Sequence, residues 1–152
     1  MDITIDVIAK RHPIVVTLGI KTLDIGTRAI FEMYAKNVCQ QLEWNNGRNA
    51  TEYAQDGADK LLCQHSRTAT IAAGILFAIC VRQQLDWNNG SYATDVAERA
   101  AETILAEDPA NGIEICQRIF NICIEQQLKW GNGGYAKNIT DNFSDLIIQY
   151  GA

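Results

Sequence analysis

The sequence predicts a mainly α-helical protein in which three helix–loop–helix repeats follow an N-terminal β-hairpin. An octapeptide that begins Gln-Gln-Leu and ends in glycine occurs three times, and each copy contains one of the three tryptophans of the chain. The copies span residues 40–47, 83–90 and 126–133. Their period of 43 residues is typical of two-helix solenoid repeats, whose units bury their apolar faces only by stacking. We therefore expect three stacked helical hairpins, either solenoid-like or in a compact bundle.

The chain of 152 residues fits one domain with a single core. We assign residues 1–152 to one domain and divide it by the octapeptide period. The predicted segments are the hairpin over 1–22 and the repeats over 23–65, 66–108 and 109–152.

Two alternating stretches predict the β-hairpin. Apolar and polar residues alternate over residues 3–7, and a second, β-branched alternation runs over residues 14–20. Pro13 disfavours helix for the residue before it, which indicates a turn between two strands. A lone two-stranded ribbon is marginally stable, so we expect the hairpin to lie on the helices or to pair with a second copy of the chain. The second arrangement is a route to a homodimer.

The first helix of each repeat begins at a capping signal and runs to the tryptophan of its octapeptide. The predicted caps are Asp24 or Thr27, Ser66 or Thr68, and Asp108 before Pro109. The first helix of the middle repeat is apolar nearly all round, which is typical of a helix covered on both sides.

The second helices follow the octapeptides. Glycine readily adopts the left-handed conformation that closes a helix, so the glycine of each octapeptide predicts the end of the first helix. The second helices are expected to start a few residues later, and the last of them ends around Gly151. The predicted starts are Thr51, Ser91 or Thr94, and Tyr135.

Composition limits the class of function. A net charge of -5 argues against a general binder of nucleic acid or anionic membranes, since both need a basic surface. The apolar run from Thr68 to Val81 is too short for a membrane span and is bounded by arginines. Five cysteines without a CxxC pair, in a chain with no visible signal peptide, predict reduced thiols and a cytoplasmic protein.

Catalytic patterns are not found in the sequence. The pair Cys63 and His65 offers two metal ligands, but no second pair with ligand spacing accompanies it. No glycine-rich phosphate loop follows a strand, and the serines lack the GxSxG context. We therefore expect a protein that is not an enzyme and that carries no metal and no cofactor.

The second helices predict an acidic surface. Their acids greatly outnumber their bases, so a layer of these helices would suit a basic partner. An alternative explanation is a solvated face with acids near helix N-termini, where the helix dipole favours them. The candidate partner-binding residues are Glu52, Asp56, Asp59, Asp95, Glu98, Glu102, Asp141 and Asp145.

The octapeptide loops are a second candidate. Helix closure and packing between repeats would explain every residue type in them, with the tryptophan buried against the neighbouring hairpin. Equivalent loops of a solenoid also lie in a row, and aromatic faces flanked by amides can hold a sugar or a nucleotide. The candidate ligand-binding residues are Trp44, Asn46, Trp87, Asn89, Tyr92, Trp130, Asn132 and Tyr135.

The leading expectation is a non-enzymatic protein-binding or inhibitor protein that engages a basic partner through the acidic helices. In size and charge it is similar to toxin-immunity proteins and phage-encoded blockers of bacterial defence. The first alternative is small-ligand binding along the row of loops, and the second is a self-assembling structural protein.

Overall fold

The computed structural model describes residues 5–19 and 22–151, and in this part of the chain it is helical throughout. The helices are α1 (Ile5–Arg11), α2 (Ile14–Thr17), α3 (Ile25–Glu43), α4 (Gly47–Leu62), α5 (Arg67–Asp86), α6 (Gly90–Glu107), α7 (Pro109–Lys129) and α8 (Gly133–Gly151). The mainly α class is confirmed. The assignment of the chain to one domain stays a prediction.

The prediction of an N-terminal β-hairpin is wrong. Residues 5–11 and 14–17 form α1 and α2, while residues 1–4, 20 and 21 lie outside the described residues. The side chains that residues 5–19 bury are Ile8, His12, Val15 and Leu18, which are spaced four, three and three residues apart. The sequence of this segment therefore contains both a helical spacing and a period-two pattern of apolar residues. Burial against the core selects the helix, because β propensity depends strongly on the surroundings of a segment. Dimerisation through the hairpin loses its basis.

The six long helices form two layers. The first helices, α3, α5 and α7, contact one another in order, and the second helices, α4, α6 and α8, do the same. Each second helix also packs on the first helix of its own repeat and, for α4 and α6, on the first helix of the next repeat. The core therefore runs continuously from one repeat to the next.

Helix α5 lies at the centre of this arrangement. It contacts α2, α3, α4, α6 and α7, and every residue from Ala72 to Val81 is buried. This explains its apolar composition on all sides. Among the described residues, α5 is also the one helix long and apolar enough to cross a membrane, with 78% of that stretch buried inside the fold. The cytoplasmic location stays a prediction.

The first helices begin at three of the predicted caps. Asp24, Ser66 and Asp108 each accept a hydrogen bond from the backbone N–H three residues later, at 2.8, 3.1 and 3.3 Å. The caps of α3 and α7 also bind α5, because Asp24 accepts from the hydroxyl of Thr68 and Asp108 from that of Thr70. Capping and stacking therefore use the same side chains.

Candidate functional site

Each octapeptide closes one helix and starts the next within three residues. In the first copy the N–H of Asn45 donates to Leu42 and the N–H of Asn46 donates to Gln41, at 3.0 and 2.8 Å. These paired bonds form the Schellman closure, which requires a left-handed residue, and Asn45 fills that position with φ of 58°. The same bonds recur in the other two copies, where the left-handed residues are Asn88 and Gly131.

The glycine that follows has a different role from the predicted one. Asn46 is the N-cap of α4 and accepts from the N–H of Asn49 at 3.2 Å, so Gly47 is the first residue of the second helix. Asn89 and Gly90 do the same for α6. The prediction that this glycine ends the first helix is wrong, and the second helices begin at the glycine rather than at the later residues.

The glycine is needed because the next repeat lies directly on it. A Cβ at Gly47 would overlap the amide of Gln84 and come within 3.3 Å of the Trp87 ring. Gly90 meets Gln127 and Trp130 in the same way, with the ring at 3.1 Å. We call each of these contacts, one glycine under a glutamine and a tryptophan of the following repeat, a joint.

The tryptophans are only partly enclosed by the joints. Trp87 and Trp130 remain 37% and 38% exposed, although each packs on the glycine of the preceding loop. Trp44 belongs to the first repeat, has no preceding loop and is 66% exposed. The loops therefore combine the packing role with an aromatic surface that solvent reaches.

A groove of about 360 Å³ opens at the first joint. We call it the loop groove. Of the predicted ligand-binding residues it brings together Trp87, Asn89 and Tyr92, whereas Trp44 and Asn46 are not among its lining residues. Trp130 and Asn132 belong to the third loop, and Tyr135 lies in the first turn of α8. The full lining consists of Asn45, Gly47, Arg48, Gln84, Trp87, Asn89 and Tyr92.

Sequence reasoning missed four of the lining residues, namely Asn45, Gly47, Arg48 and Gln84. Gln84 had a visible signal, because glutamine occupies the same position in all three octapeptides. Arg48 had none, since the equivalent residues of the other repeats are Ser91 and Gly134.

The second helices place three acids at one repeat position. Asp59, Glu102 and Asp145 are each separated by the repeat period, and all three are exposed. We call them the acidic row. None of the three forms an ion pair with a described residue, although Asp59 accepts a hydrogen bond from Gln55 at 2.9 Å.

Two of the other predicted acids form ion pairs within the layer. Arg99 of α6 reaches back to α4, where it pairs with Glu52 at 2.9 Å and donates to Gln55 at 2.8 Å. The hydrogen bond from Arg99 to Glu52 and the charge of the arginine lower the pKa of Glu52. Asp141 pairs with Lys137 at 2.8 Å on α8 itself. Asp56 and Asp95 are exposed.

A second groove, of about 290 Å³, lies between α6 and α8. We call it the acidic groove, because Glu98, Glu102 and Asp145 line it together with Asn142, Leu146 and Gln149. Burial and the neighbouring charges of Asp95 and Glu102 raise the pKa of Glu98, although Asn142 donates a hydrogen bond to it. The raised pKa reflects mainly the partial burial of Glu98, with a smaller contribution from repulsion between the carboxylates.

Comparison with known proteins gives no family. No family model, no curated protein and no solved structure matches the chain. A function must therefore be inferred from surface features such as the loop groove, the acidic row and the acidic groove.

Four of the five thiols are buried, as is the imidazole of His12. Burial raises the pKa of Cys39 to about 11 and that of Cys80, Cys116 and Cys123 to about 12, so these thiols stay protonated. Burial also lowers the pKa of His12. No group of three or more His, Cys, Asp and Glu side chains able to hold a metal ion occurs among the described residues.

Proposed function

We propose that this protein is a non-enzymatic binding protein that engages a basic protein surface through the acidic row. The observation that carries this proposal is the repetition of an exposed, unpaired carboxylate at the same position of α4, α6 and α8. The two bases that pair within the layer, Arg99 and Lys137, bind acids at other positions. The charge of the row is therefore available to a partner.

The spacing of the row suggests the chemistry of the partner. Packed helices lie about 8–10 Å apart, so three carboxylates on successive second helices are separated by steps of roughly that size. On a partner helix, bases seven residues apart are separated by about 10.5 Å. A helix with Lys or Arg at every seventh position is therefore the simplest matching surface.

The acidic groove supports the same proposal. Glu102 and Asp145 belong to both the row and the groove, and Glu98 lies beside them. Burial and, to a smaller extent, repulsion from Asp95 and Glu102 raise the pKa of Glu98, and a basic side chain entering the groove would offset both effects. An inhibitor of the immunity or anti-defence type would act in this way, by covering a basic surface that its target uses for nucleic acid.

The test uses two helical peptides of identical composition. In one peptide the lysines are seven residues apart, and in the other they are adjacent. Fluorescence anisotropy should show tighter binding of the spaced peptide, with an affinity that falls as salt rises because exposed charges are screened over about 10 Å at 0.1 M. Reversal of Asp59, Glu102 and Asp145 to lysine should reduce the affinity by at least about tenfold, since each exposed pair contributes about 0.2–1 kcal/mol and reversal adds repulsion.

The matched control reverses three exposed acids outside the row. Asp6, Glu107 and Glu125 have no ion pair among the described residues, and their replacement by lysine changes the net charge equally. If the two triple variants weaken binding to the same extent, net charge alone acts and the row has no special role. Equal binding of the two peptides by the unmodified protein would also reject the proposal.

A further inference from the structure

The loop groove differs in two respects from the equivalent place at the second joint. Position 48 is arginine in the first repeat, whereas the equivalent residue of the second repeat is Ser91. Gln127 at the second joint accepts a hydrogen bond from Asn132 at 3.0 Å. Gln84 at the first joint is not held in this way, and no described residue forms a hydrogen bond with its side chain. The second joint can therefore serve as an internal control for the first joint.

Gln84 is the first feature that points to a ligand. Its residue is only 3% exposed, yet its amide lines the groove and lacks a partner within the described part of the chain. No buried side-chain nitrogen or oxygen among the described residues lacks a partner, so the unpartnered amide atoms of Gln84 are open to the groove, where a ligand can bind them. An amide offers one acceptor and two donors, the set that Gln and Asn use to bind the N6 and N7 edge of adenine.

Arg48 is the second feature. It is exposed in the first turn of α4, and no described residue forms an ion pair with it. The acid one turn later, Glu52, is held instead by Arg99 at 2.9 Å. No carboxylate lines the groove, and the start of a helix favours negative charge. In a protein of net charge -5, this is a local site for an anion.

We propose that the loop groove binds a single adenine nucleotide, with the base between Trp87 and the Gln84 amide and the phosphate on Arg48. Trp87 and Tyr92 line the groove and offer aromatic surface on which a base can stack. The volume of about 360 Å³ lies in the range of small-molecule sites. This site is separate from the acidic row, so the proposed function and this inference stand or fall independently.

The experiment is a titration of the whole protein with AMP, adenosine and inorganic phosphate, followed by calorimetry and by tryptophan fluorescence. AMP should bind and quench the fluorescence, adenosine should bind more weakly, and phosphate alone should bind weakest. Arg48→Ser, which copies the residue of the second joint, should weaken AMP binding by about tenfold while leaving adenosine unchanged, because only the charge-assisted bond to phosphate is lost. Gln84→Leu should weaken both.

The control is Ser91→Ala at the second joint, which should bind AMP like the unmodified protein. Circular dichroism establishes that each variant is folded. Failure of AMP to bind at millimolar concentration would overturn the proposal, as would equal AMP affinity in Arg48→Ser and the unmodified protein. Binding of a neutral sugar such as N-acetylglucosamine more tightly than AMP would also overturn it, because that ligand does not use Arg48.

Discussion

Replacement of the loop glycines by alanine tests the joints directly. Gly47, Gly90 and Gly133 hold the same position in their repeats, but only the first two lie under a following repeat. A Cβ at Gly47 would overlap Gln84 and approach Trp87 to 3.3 Å, whereas a Cβ at Gly133 would meet nothing within 4 Å. Alanine therefore adds a methyl group where space is already filled, at Gly47 and Gly90, and where space is open, at Gly133.

The expected magnitudes follow from these contacts. Extra methyl groups in a packed interior cost about 1–3 kcal/mol, and Gln84 cannot move aside freely because it is 3% exposed. Alanine also gains up to about 1 kcal/mol over glycine in a helix, less at its first residue. Gly47→Ala and Gly90→Ala should lower the free energy of unfolding by about 1–2 kcal/mol, and Gly133→Ala should raise it by up to about 0.5 kcal/mol.

Urea denaturation followed by circular dichroism measures these changes from the midpoints, provided that the slope is unchanged. A double variant sharpens the assignment, because Gln84→Ala removes the side chain that the new methyl group overlaps. Gly47→Ala should then cost less in the Gln84→Ala background than in the unmodified protein, a coupling that a double-mutant cycle measures. If the three alanine variants change stability alike, close approach at the joints is not the reason for the glycines.

Three further predictions concern thiols, tryptophans and pH. Cys63 is the exposed cysteine, so a thiol reagent should modify one thiol rapidly in the native protein and five after denaturation; rapid modification of a second would contradict the burial of the others. Trp44→Ala should lower the free energy of unfolding by about 1 kcal/mol or less and Trp87→Ala by about 2–3 kcal/mol, since Trp87 is more enclosed. Urea midpoints in the reverse order would contradict the packing of Trp87 in the first joint. Because the pKa of Glu98 is raised, its protonated form contributes stability below the ordinary value of 4.5, and this stability is lost as pH rises through the folded-state pKa. Glu98→Gln should therefore raise the free energy of unfolding at pH 7 and leave it unchanged near pH 3. An equal effect at both pH values would show that charge is not the cause.

Sequence patterns predicted the parts of the fold that depend on local chemistry. The caps Asp24, Ser66 and Asp108 depend only on neighbouring residues, and all three are formed. The N-terminal segment was mispredicted because its alternation is short and overlaps the helical spacing of Ile8 and Val15, and only the core to which it packs decides between the two.

The role of the loop glycine could not be read from one repeat alone. Glycine after a helix usually closes it, and here Asn45 takes that position because asparagine also tolerates the left-handed conformation. Gly47 instead makes room for the side chain of Gln84, which belongs to the following repeat and is 37 residues away in the sequence. Likewise, the acidic residues were visible in sequence, but the pairing of Glu52 with Arg99 depends on the packing of α4 on α6.

The joints also allow whole repeats to be added or removed. Three repeats have two joints, and the third loop ends with Gly133, over which no described residue lies. In a stack whose stability is a sum over neighbours, one repeat more or less changes the total by one repeat and one joint. A chain lengthened by a second copy of residues 66–108 would therefore gain a third joint, and its stability could be adjusted in steps by whole repeats.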